Sequence, residues 1–112
     1  MADCYIIDAA RTPRGIGKAG KGALSHFHSG RLLAKVFEGI EGRNGLRTED
    51  IDDIVIGCST QVGNQGSDVG RMAALDAGWS ANASGVTLDR FCGSGITSAN
   101  IAAANIMAGM DD

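Results

Sequence analysis

The chain has 112 residues and a formal net charge of −3, and 44% of its residues are hydrophobic and 21% are charged. These values are typical of one small globular domain, and they argue against nonspecific binding to nucleic acid or to a membrane surface. Its three cysteines, Cys4, Cys58 and Cys92, are too few and too widely spaced for a disulfide framework or a zinc site. We therefore expect no metal and a reducing, cytoplasmic location, and no signal-peptide pattern opens the chain.

The first 22 residues predict a strand followed by a loop. Cys4–Asp8 is short and apolar and predicts the first strand. Residues 9–22 contain the only proline and several glycines and predict a loop. Within it, residues 15–22 nearly match a phosphate-binding pattern, but Gly22 stands where a serine or threonine would contact Mg²⁺. A flexible basic loop is therefore the preferred interpretation.

An amphipathic helix is predicted next, over Ser29–Gly42. Ser29 is the expected N-cap, and Gly42 or Gly45 is the expected stop. Five residues at helical spacing form the predicted apolar face: Leu32, Leu33, Val36, Phe37 and Ile40.

The middle of the chain predicts a turn, a strand and a second helix. Thr48–Asp50 predicts one capped turn, and Ile54–Cys58 predicts an apolar strand covered on both faces. A long polar loop, Ser59–Asp68, separates this strand from the helix predicted over Val69–Ala77. Gly78 is the expected stop of that helix.

The last third of the chain predicts a strand at Val86–Leu88 and a helix over Ile96–Met110. Alternating strands and helices predict an α/β fold with parallel strands, in the order β-α-β-α-β-α. Phe91–Met110 contains no charged residue, which predicts a helix buried on all sides or one that spans a membrane. Asparagines and hydroxyls in the stretch argue against the membrane. We expect a buried helix of small residues whose cover lies on another segment or chain, so that residues 1–112 form an incomplete domain.

Cys92 is the candidate catalytic residue because it lies where the last strand turns into this helix. The positive end of a helix favours the thiolate, and free amides there can hold an oxyanion. Gly93 and Gly95 are expected to allow unusual backbone angles and close approaches. This pattern favours covalent acyl transfer. The alternative is that Cys92 is a small buried hydrophobe, as free cysteines often are. We expect that buried role for Cys4 and Cys58.

Two histidines, His26 and His28, precede the first predicted helix. Either could serve as the general base that a nucleophilic cysteine needs. Exposed loop residues are the simpler interpretation, and the pair alone is weak evidence for a metal site.

The segment Val86–Gly95, which reads VTLDRFCGSG, resembles the nucleophile segment of the thiolase family (acetyl-CoA acetyltransferase or 3-ketoacyl-CoA thiolase). Three other stretches carry the same resemblance, which runs from Tyr5 to the last residue: IIDAARTP, DIDDIVIGC, and TQVGNQG with the following RMAAL. The resemblance implies the N-terminal part of an αβαβα fold, without the loop domain or the C-terminal half.

For Cys92 the resemblance implies the role of acyl acceptor. The protein would then be an acyl-CoA C-acyltransferase that cleaves 3-ketoacyl-CoA with CoA or condenses two acetyl-CoA molecules. Coenzyme A thioesters would be substrates, with no bound cofactor. The TQVGNQG loop resembles that of the degradative branch, which acts in fatty acid β-oxidation. In the family, the region matching Ser59–Asp68 and the strand before Cys92 approach a neighbouring subunit, which implies a homodimer or tetramer.

The remaining catalytic groups of the family have no counterpart among these 112 residues: a His in a GHP motif, an Asn-containing motif and a second cysteine in a Gly-rich loop. The chain alone is therefore predicted to lack turnover and to need the remaining thiolase segment or a complementing chain. Two alternatives stay open. One is a non-catalytic thiolase-like scaffold or interaction module, and the other is a redox-sensing thiol at Cys92.

Overall fold

The computed structural model describes residues 1–112 and contains three helices, two short strands and two single 3₁₀ turns. The helices are α1 (Ser29–Asn44), α2 (Val69–Asp76) and α3 (Ser94–Ala108); the strands are β1 (Val55–Gly57) and β2 (Val86–Leu88); and the 3₁₀ turns are Thr48–Asp50 and Gly63–Gln65. The predicted elements from α1 onwards are therefore confirmed, with small differences at their ends.

Helix α1 begins with a different cap from the one predicted. The ring Nδ1 of His28 accepts a hydrogen bond of 3.1 Å from the backbone N–H of Gly30, which makes His28 the N-cap. Ser29 is the first helical residue, and its hydroxyl donates to the carbonyl of Asn64 at 2.6 Å. The prediction of Ser29 as N-cap was wrong because His28 is the last residue with extended backbone angles. The helix ends at Asn44, and Gly45 follows as its C-cap with a φ of 60°, the left-handed geometry expected of a stop.

The core lies between α1, α2 and the segment that follows α2. The rings of Phe37 and Trp79 stack with centroids 4.6 Å apart, and the indole N–H donates to Glu41 at 2.9 Å. Of the predicted apolar face of α1 only Phe37 is buried, while the other four residues are half-buried. Seven buried side chains form the cluster, and most of them are small: Ala34, Phe37, Ile54, Ala73, Ala74, Trp79 and Ala83.

Strands β1 and β2 pair in parallel, as the strand–helix alternation predicts, with Ile56 opposite Thr87. Neighbouring residues of a strand point to opposite faces of the sheet. A Cβ on Gly70 of α2 would lie 2.5 Å from the Ile56 side chain, and a Cβ on Gly57 would lie 2.3 Å from the backbone of Ser94 in α3. Helices α2 and α3 therefore cover opposite faces of β1, which gives an α–β–α layering.

The predicted first strand is not present. Cys4–Asp8 forms neither helix nor strand, and the side chains of Tyr5, Ile6 and Ile7 are 75%, 94% and 87% exposed. A strand requires a neighbour that accepts and donates its backbone hydrogen bonds, and neither β1 nor β2 pairs with this segment. Cys4 is half-buried and does not belong to the core cluster, so its assignment to the core was also wrong.

Helix α3 is only partly covered within this chain. Only Ser94 and Ser98 are buried, whereas Ile96 is 71% exposed. Within this chain one face of α3 packs on β1, and its remaining apolar surface is open. That another segment or chain covers this surface stays a prediction. None of the three helices has the length and apolar character that crossing a membrane would require.

Candidate active site

Cys92 is exposed at the junction between β2 and α3, where the sequence pattern predicts it. It lies four residues after Leu88, the end of β2, and immediately before Gly93, the N-cap of α3. Its thiol makes no side-chain hydrogen bond within the chain and is open to an incoming molecule. The alternative of a buried hydrophobic cysteine is therefore wrong for Cys92.

The residue before Cys92 has an unusual backbone conformation. Phe91 has a φ of +46°, a left-handed geometry that costs a non-glycine residue about 1 kcal/mol. Its amide donates to the carboxylate of Asp89 at 2.8 Å, and its ring is 81% exposed. Strained backbone of this kind persists where surrounding contacts hold it, and it is often found at functional sites.

The hydroxyl of Ser94 closes the turn around Cys92. It accepts a hydrogen bond from the amide of Arg90 at 2.8 Å and donates to the carbonyl of Phe91 at 2.7 Å. Ser94 itself is only 4% exposed. Sequence reasoning missed this residue, although serine side chains commonly bond to nearby backbone groups.

Some of the amides expected to stabilise an oxyanion are already occupied. The amide of Gly93 donates to the carbonyl of Arg90 at 2.9 Å, and that of Ser94 donates to Phe91 at 3.2 Å. No backbone carbonyl accepts from the amides of Gly95 and Ile96, as is usual in the first turn of a helix. The donors left at this end of α3 are therefore the amides of Gly95 and Ile96, together with the amide of Cys92 itself.

The close backbone approach that the site requires is at Gly57 of β1 rather than at the glycines beside Cys92. A Cβ on Gly57 would lie 2.3 Å from the carbonyl carbon of Ser94, which no real side chain tolerates. A Cβ on Gly95 would meet nothing within 4 Å, and one on Gly93 would lie 3.3 Å from the carbonyl oxygen of Arg90. The expectation that both glycines after Cys92 provide close approaches was wrong within this chain.

The two histidines are exposed, which confirms the simpler interpretation of them. His28 caps α1, and the ring of His26 lies 4.2 Å from that of Phe27. Neither forms a hydrogen bond with Cys92. The largest concave region, about 770 Å³, also lies away from the thiol. Five residues line it: Ala9, Ala10, Arg11, Pro13 and Arg43.

Residues 4–112 match the family model described as "Thiolase, N-terminal domain". This chain belongs to the thiolase family. It is 42% identical, over its whole length, to the 3-oxoadipyl-CoA/3-oxo-5,6-dehydrosuberyl-CoA thiolase of Escherichia coli and 37% identical to a steroid 3-ketoacyl-CoA thiolase of Mycobacterium tuberculosis. The chain spans about a quarter of the length of these relatives, 27% of each.

A solved thiolase-family structure confirms the predicted fold class. The crystal structure of the acetyl-CoA acetyltransferase of Bacillus anthracis superposes with a TM-score of 0.75 at 28% sequence identity. The superposition covers 81% of this chain and 23% of the other. The parallel strands and flanking helices seen here are thus an α/β part of a thiolase fold.

In this thiolase-family chain, a side-chain hydrogen bond to Asp68 holds β2, the strand that precedes Cys92. Asp68 has a φ of 56° and caps α2 through the amide of Arg71. The same carboxylate oxygen accepts a hydrogen bond of 2.7 Å from the hydroxyl of Thr87 in β2. Asp68 therefore joins the end of the long polar loop to the strand, and sequence reasoning placed it only at the end of that loop.

Cys58 is half-buried at the start of the same loop rather than in the core, where it was predicted. Its sulfur lies 3.6 Å from the carbonyl oxygen of Thr60 and 3.9 Å from the side-chain nitrogen of Gln65. The backbone amide of Cys58 still donates to Leu88 at 2.9 Å, which extends the β1–β2 pairing by one bond. The residue therefore belongs to the sheet by its backbone and to the loop by its side chain.

Proposed function

We propose that this protein is an acyl-CoA C-acyltransferase of the thiolase type and that the sulfur of Cys92 accepts the acyl group. The observation that supports this most directly is an exposed thiol at the β2–α3 junction of a chain whose residues 4–112 match the thiolase N-terminal domain. The names of the related enzymes, which act on 3-oxoacyl-CoA and 3-ketoacyl-CoA compounds, support coenzyme A thioesters as the substrate class.

In the direction of cleavage, the Cys92 thiolate attacks the 3-keto carbonyl of a 3-ketoacyl-CoA. A carbon–sulfur bond forms, and the bond between C2 and C3 breaks. The electron pair leaves on C2, which takes a proton and departs as acetyl-CoA. The thiol of a second CoA then attacks the thioester and releases Cys92 as thiolate.

In the direction of condensation, the proposal starts from acetyl-CoA. Cys92 takes the acetyl group and CoA leaves. The carbanion at C2 of a second acetyl-CoA then attacks the acetyl-cysteine and regenerates the thiolate. Both directions need a group that accepts and donates protons, and this chain brings neither of its histidines into hydrogen-bond contact with the thiol.

We therefore assign the proton-transferring groups to the C-terminal half of a thiolase, present on the same polypeptide or on a complementing chain. We also propose a cytoplasmic homodimer or tetramer with no resident cofactor, in which the region from Ser59 to Asp68 and strand β2 approach a neighbouring subunit. These assignments rest on the family and on the open surface that α3 leaves in this chain.

The test is the mass of the intact, native protein before and after incubation with acetyl-CoA or acetoacetyl-CoA. An acetyl group adds about 42 Da, and the proposal expects it on the peptide that contains Cys92. The Cys92→Ala variant should take up no adduct, whereas Cys58→Ser should be acylated like the wild type because Cys58 is half-buried in a loop contact.

Mass spectrometry of the same native material also shows whether a second polypeptide accompanies the chain. An adduct on Cys92 together with such a polypeptide would support a complemented thiolase. Absence of any adduct on Cys92 in the native protein would contradict acyl transfer and favour the scaffold alternative. Rapid, reversible oxidation of Cys92 by peroxide without acylation would instead favour a redox-sensing thiol.

A further inference from the structure

We propose that Ser94 is a positioning residue for Cys92, an inference that rests on the proposed acyl transfer. Its hydroxyl contacts the backbone ahead of Cys92 at two points, the amide of Arg90 and the carbonyl of Phe91. Ser94 follows Cys92 in the chain, so these two bonds connect the segments on either side of the nucleophile. No other side chain bonds to both segments.

The two hydroxyl bonds add to the backbone bonds that the amides of Gly93 and Ser94 make in the same turn. The Ser94 hydroxyl is the only hydrogen-bond partner of the Arg90 amide. Phe91 keeps its left-handed φ of +46° between these bonds, although that geometry is unfavourable for a residue with a side chain. Without the hydroxyl, the Arg90 amide loses its acceptor, and Phe91 keeps only the bonds that join its amide to Asp89 and its carbonyl to the Ser94 amide. We expect Phe91 then to return to a negative φ and the adjacent Cys92 to move with it.

Ser94 can fix the turn because it is itself fixed to the sheet. Its side chain is 4% exposed, and its backbone lies against Gly57 so closely that no Cβ fits between them. The contact with β1 therefore fixes Ser94, and the hydroxyl of Ser94 fixes the turn that contains Cys92. A displacement of about 1 Å in a reacting group can lower an enzymatic rate by about 100-fold.

The next turn of the same helix offers a matched control, Ser98. It is 7% exposed, and its hydroxyl donates to the carbonyl of Gly95 at 2.9 Å, inside α3. Both serines are buried, and both bond to backbone groups. Only Ser94 reaches the segment ahead of Cys92, so the two alanine variants remove similar packing but different connections.

The experiment compares acyl-enzyme formation in the intact native protein and in its Ser94→Ala, Ser98→Ala and Ser94→Thr variants, over a range of acetyl-CoA concentrations that reaches saturation. We expect Ser94→Ala to acylate Cys92 about 10- to 100-fold more slowly with little change in KM, because orientation rather than binding is lost. Ser98→Ala should acylate as fast as the wild type, and Ser94→Thr, which keeps a hydroxyl, should recover most of the rate.

Alkylation of Cys92 by iodoacetamide measures the reactivity of the thiol separately from its orientation toward acetyl-CoA. A general structural defect would lower both rates together. This small reagent needs no fixed approach, so its rate should be nearly the same in Ser94→Ala and in the wild type. Equal acylation rates in the two alanine variants would overturn the proposal. An equal fall in acylation and alkylation would also overturn it, because the thiol itself would then have changed.

The outcome for Ser94 can be told apart from the outcome for the proposed function. If the wild type forms no adduct at Cys92, the proposed acyl transfer fails. The φ of Phe91 in a crystal structure of Ser94→Ala still tests the turn, and an unchanged left-handed φ would overturn the positioning role. If Ser94→Ala does not fold, Ser94→Thr is compared with the wild type alone. A folded Ser94→Thr that acylates Cys92 10-fold or more slowly, although it keeps the hydroxyl, would reject the proposal.

Discussion

A missing side chain at Gly57 determines how closely β1 can approach the start of α3. A methyl group there would overlap the carbonyl carbon of Ser94, which would lie 2.3 Å away. The helix would have to move, and with it the turn that holds Cys92. The site therefore depends on a residue 35 positions earlier in the chain that carries no functional group.

We expect Gly57→Ala to lower the free energy of unfolding of the intact protein by about 1–3 kcal/mol, the usual cost of overpacking a core contact. Gly95→Ala is the matched control, since its Cβ meets nothing within 4 Å and alanine is the better helix former. Its stability should be unchanged or slightly higher. Denaturant unfolding measures both, and equal midpoints for the two variants would contradict the overlap at Gly57.

At the scale of elements, Asp68 connects three of them. Its carboxylate caps α2 and accepts a hydrogen bond from Thr87 in β2. Asp68 is also the last residue of the polar loop that follows β1. Its φ of 56° is a conformation that aspartate and asparagine tolerate better than other side chains do. One residue therefore combines a cap, a link to the sheet and a left-handed turn.

Asp68→Ala should lower the free energy of unfolding by about 3 kcal/mol, with about 1 kcal/mol each from the lost N-cap, the lost hydrogen bond to Thr87 and alanine in a left-handed conformation. Asp68→Asn keeps an acceptor oxygen and the tolerance of that backbone, so it should lose much less. Thermal or denaturant unfolding of the intact protein distinguishes them. If the two variants were equally stable, the cap and the backbone geometry would not be the source of the effect.

The N-terminal segment is attached to the end of α1 through Asp8. Its carboxylate accepts from the side-chain amide of Asn44 at 2.6 Å and from the guanidinium of Arg43 at 2.8 Å. The hydrogen bond from Asn44, then those from the Ala9 amide and Arg43, lower the pKa of Asp8 below its usual range because they favour the charged form.

A carboxyl group whose pKa is lower in the folded state than in the unfolded state stabilises the folded state. This contribution is fully present above the unfolded pKa, near 3.9 for aspartate, and is lost as the pH falls through the lower folded pKa. We therefore expect the segment to stay attached to α1 at neutral pH and to detach only in acid. The carbon NMR shift of the Asp8 carboxyl, followed against pH, measures this. Asn44→Ala should move the midpoint upward, whereas Arg47→Gln should not, since Arg47 pairs with Glu49 and Asp50. An unmoved midpoint in Asn44→Ala would contradict the assignment.

At the scale of the whole molecule, this chain buries few large side chains and leaves many exposed. The core cluster has seven members, and four of them are alanines. Large apolar residues are exposed in the N-terminal segment and in and around α3, among them Ile6, Ile7, Phe91, Ile96 and Met110. Apolar surface of this kind marks a contact with another segment or chain, or a tendency to aggregate.

We therefore expect residues 1–112, produced alone, to bind apolar dyes, to self-associate and to unfold without a sharp transition, because so small a core cannot offset the entropy of ordering the chain. They should also show no thiolase turnover. Sedimentation velocity, dye fluorescence and a thiolysis assay at micromolar concentration test this. A monodisperse chain with cooperative unfolding, or a thiolysis rate that disappears in Cys92→Ala, would contradict it.

Local patterns in the sequence were sufficient for helices α1 and α2, the parallel pair β1–β2 and the position of Cys92 between a strand and a helix. Hydrophobic periodicity, apolar runs and glycine stops act within a few residues, so they can be read without a fold. Four short stretches were also sufficient for the thiolase resemblance, which the match over residues 4–112 confirms.

Tertiary structure alone decided the rest. Cys4–Asp8 has the composition of a strand but no neighbouring strand within this chain, and the uncharged helix α3 finds cover on only one face. The roles of Ser94 and Gly57 depend on contact between the turn at the start of α3 and strand β1, and the two residues are 37 positions apart in the sequence. Partners for backbone hydrogen bonds and for apolar surface come from distant parts of a folded molecule, so no local pattern can specify them.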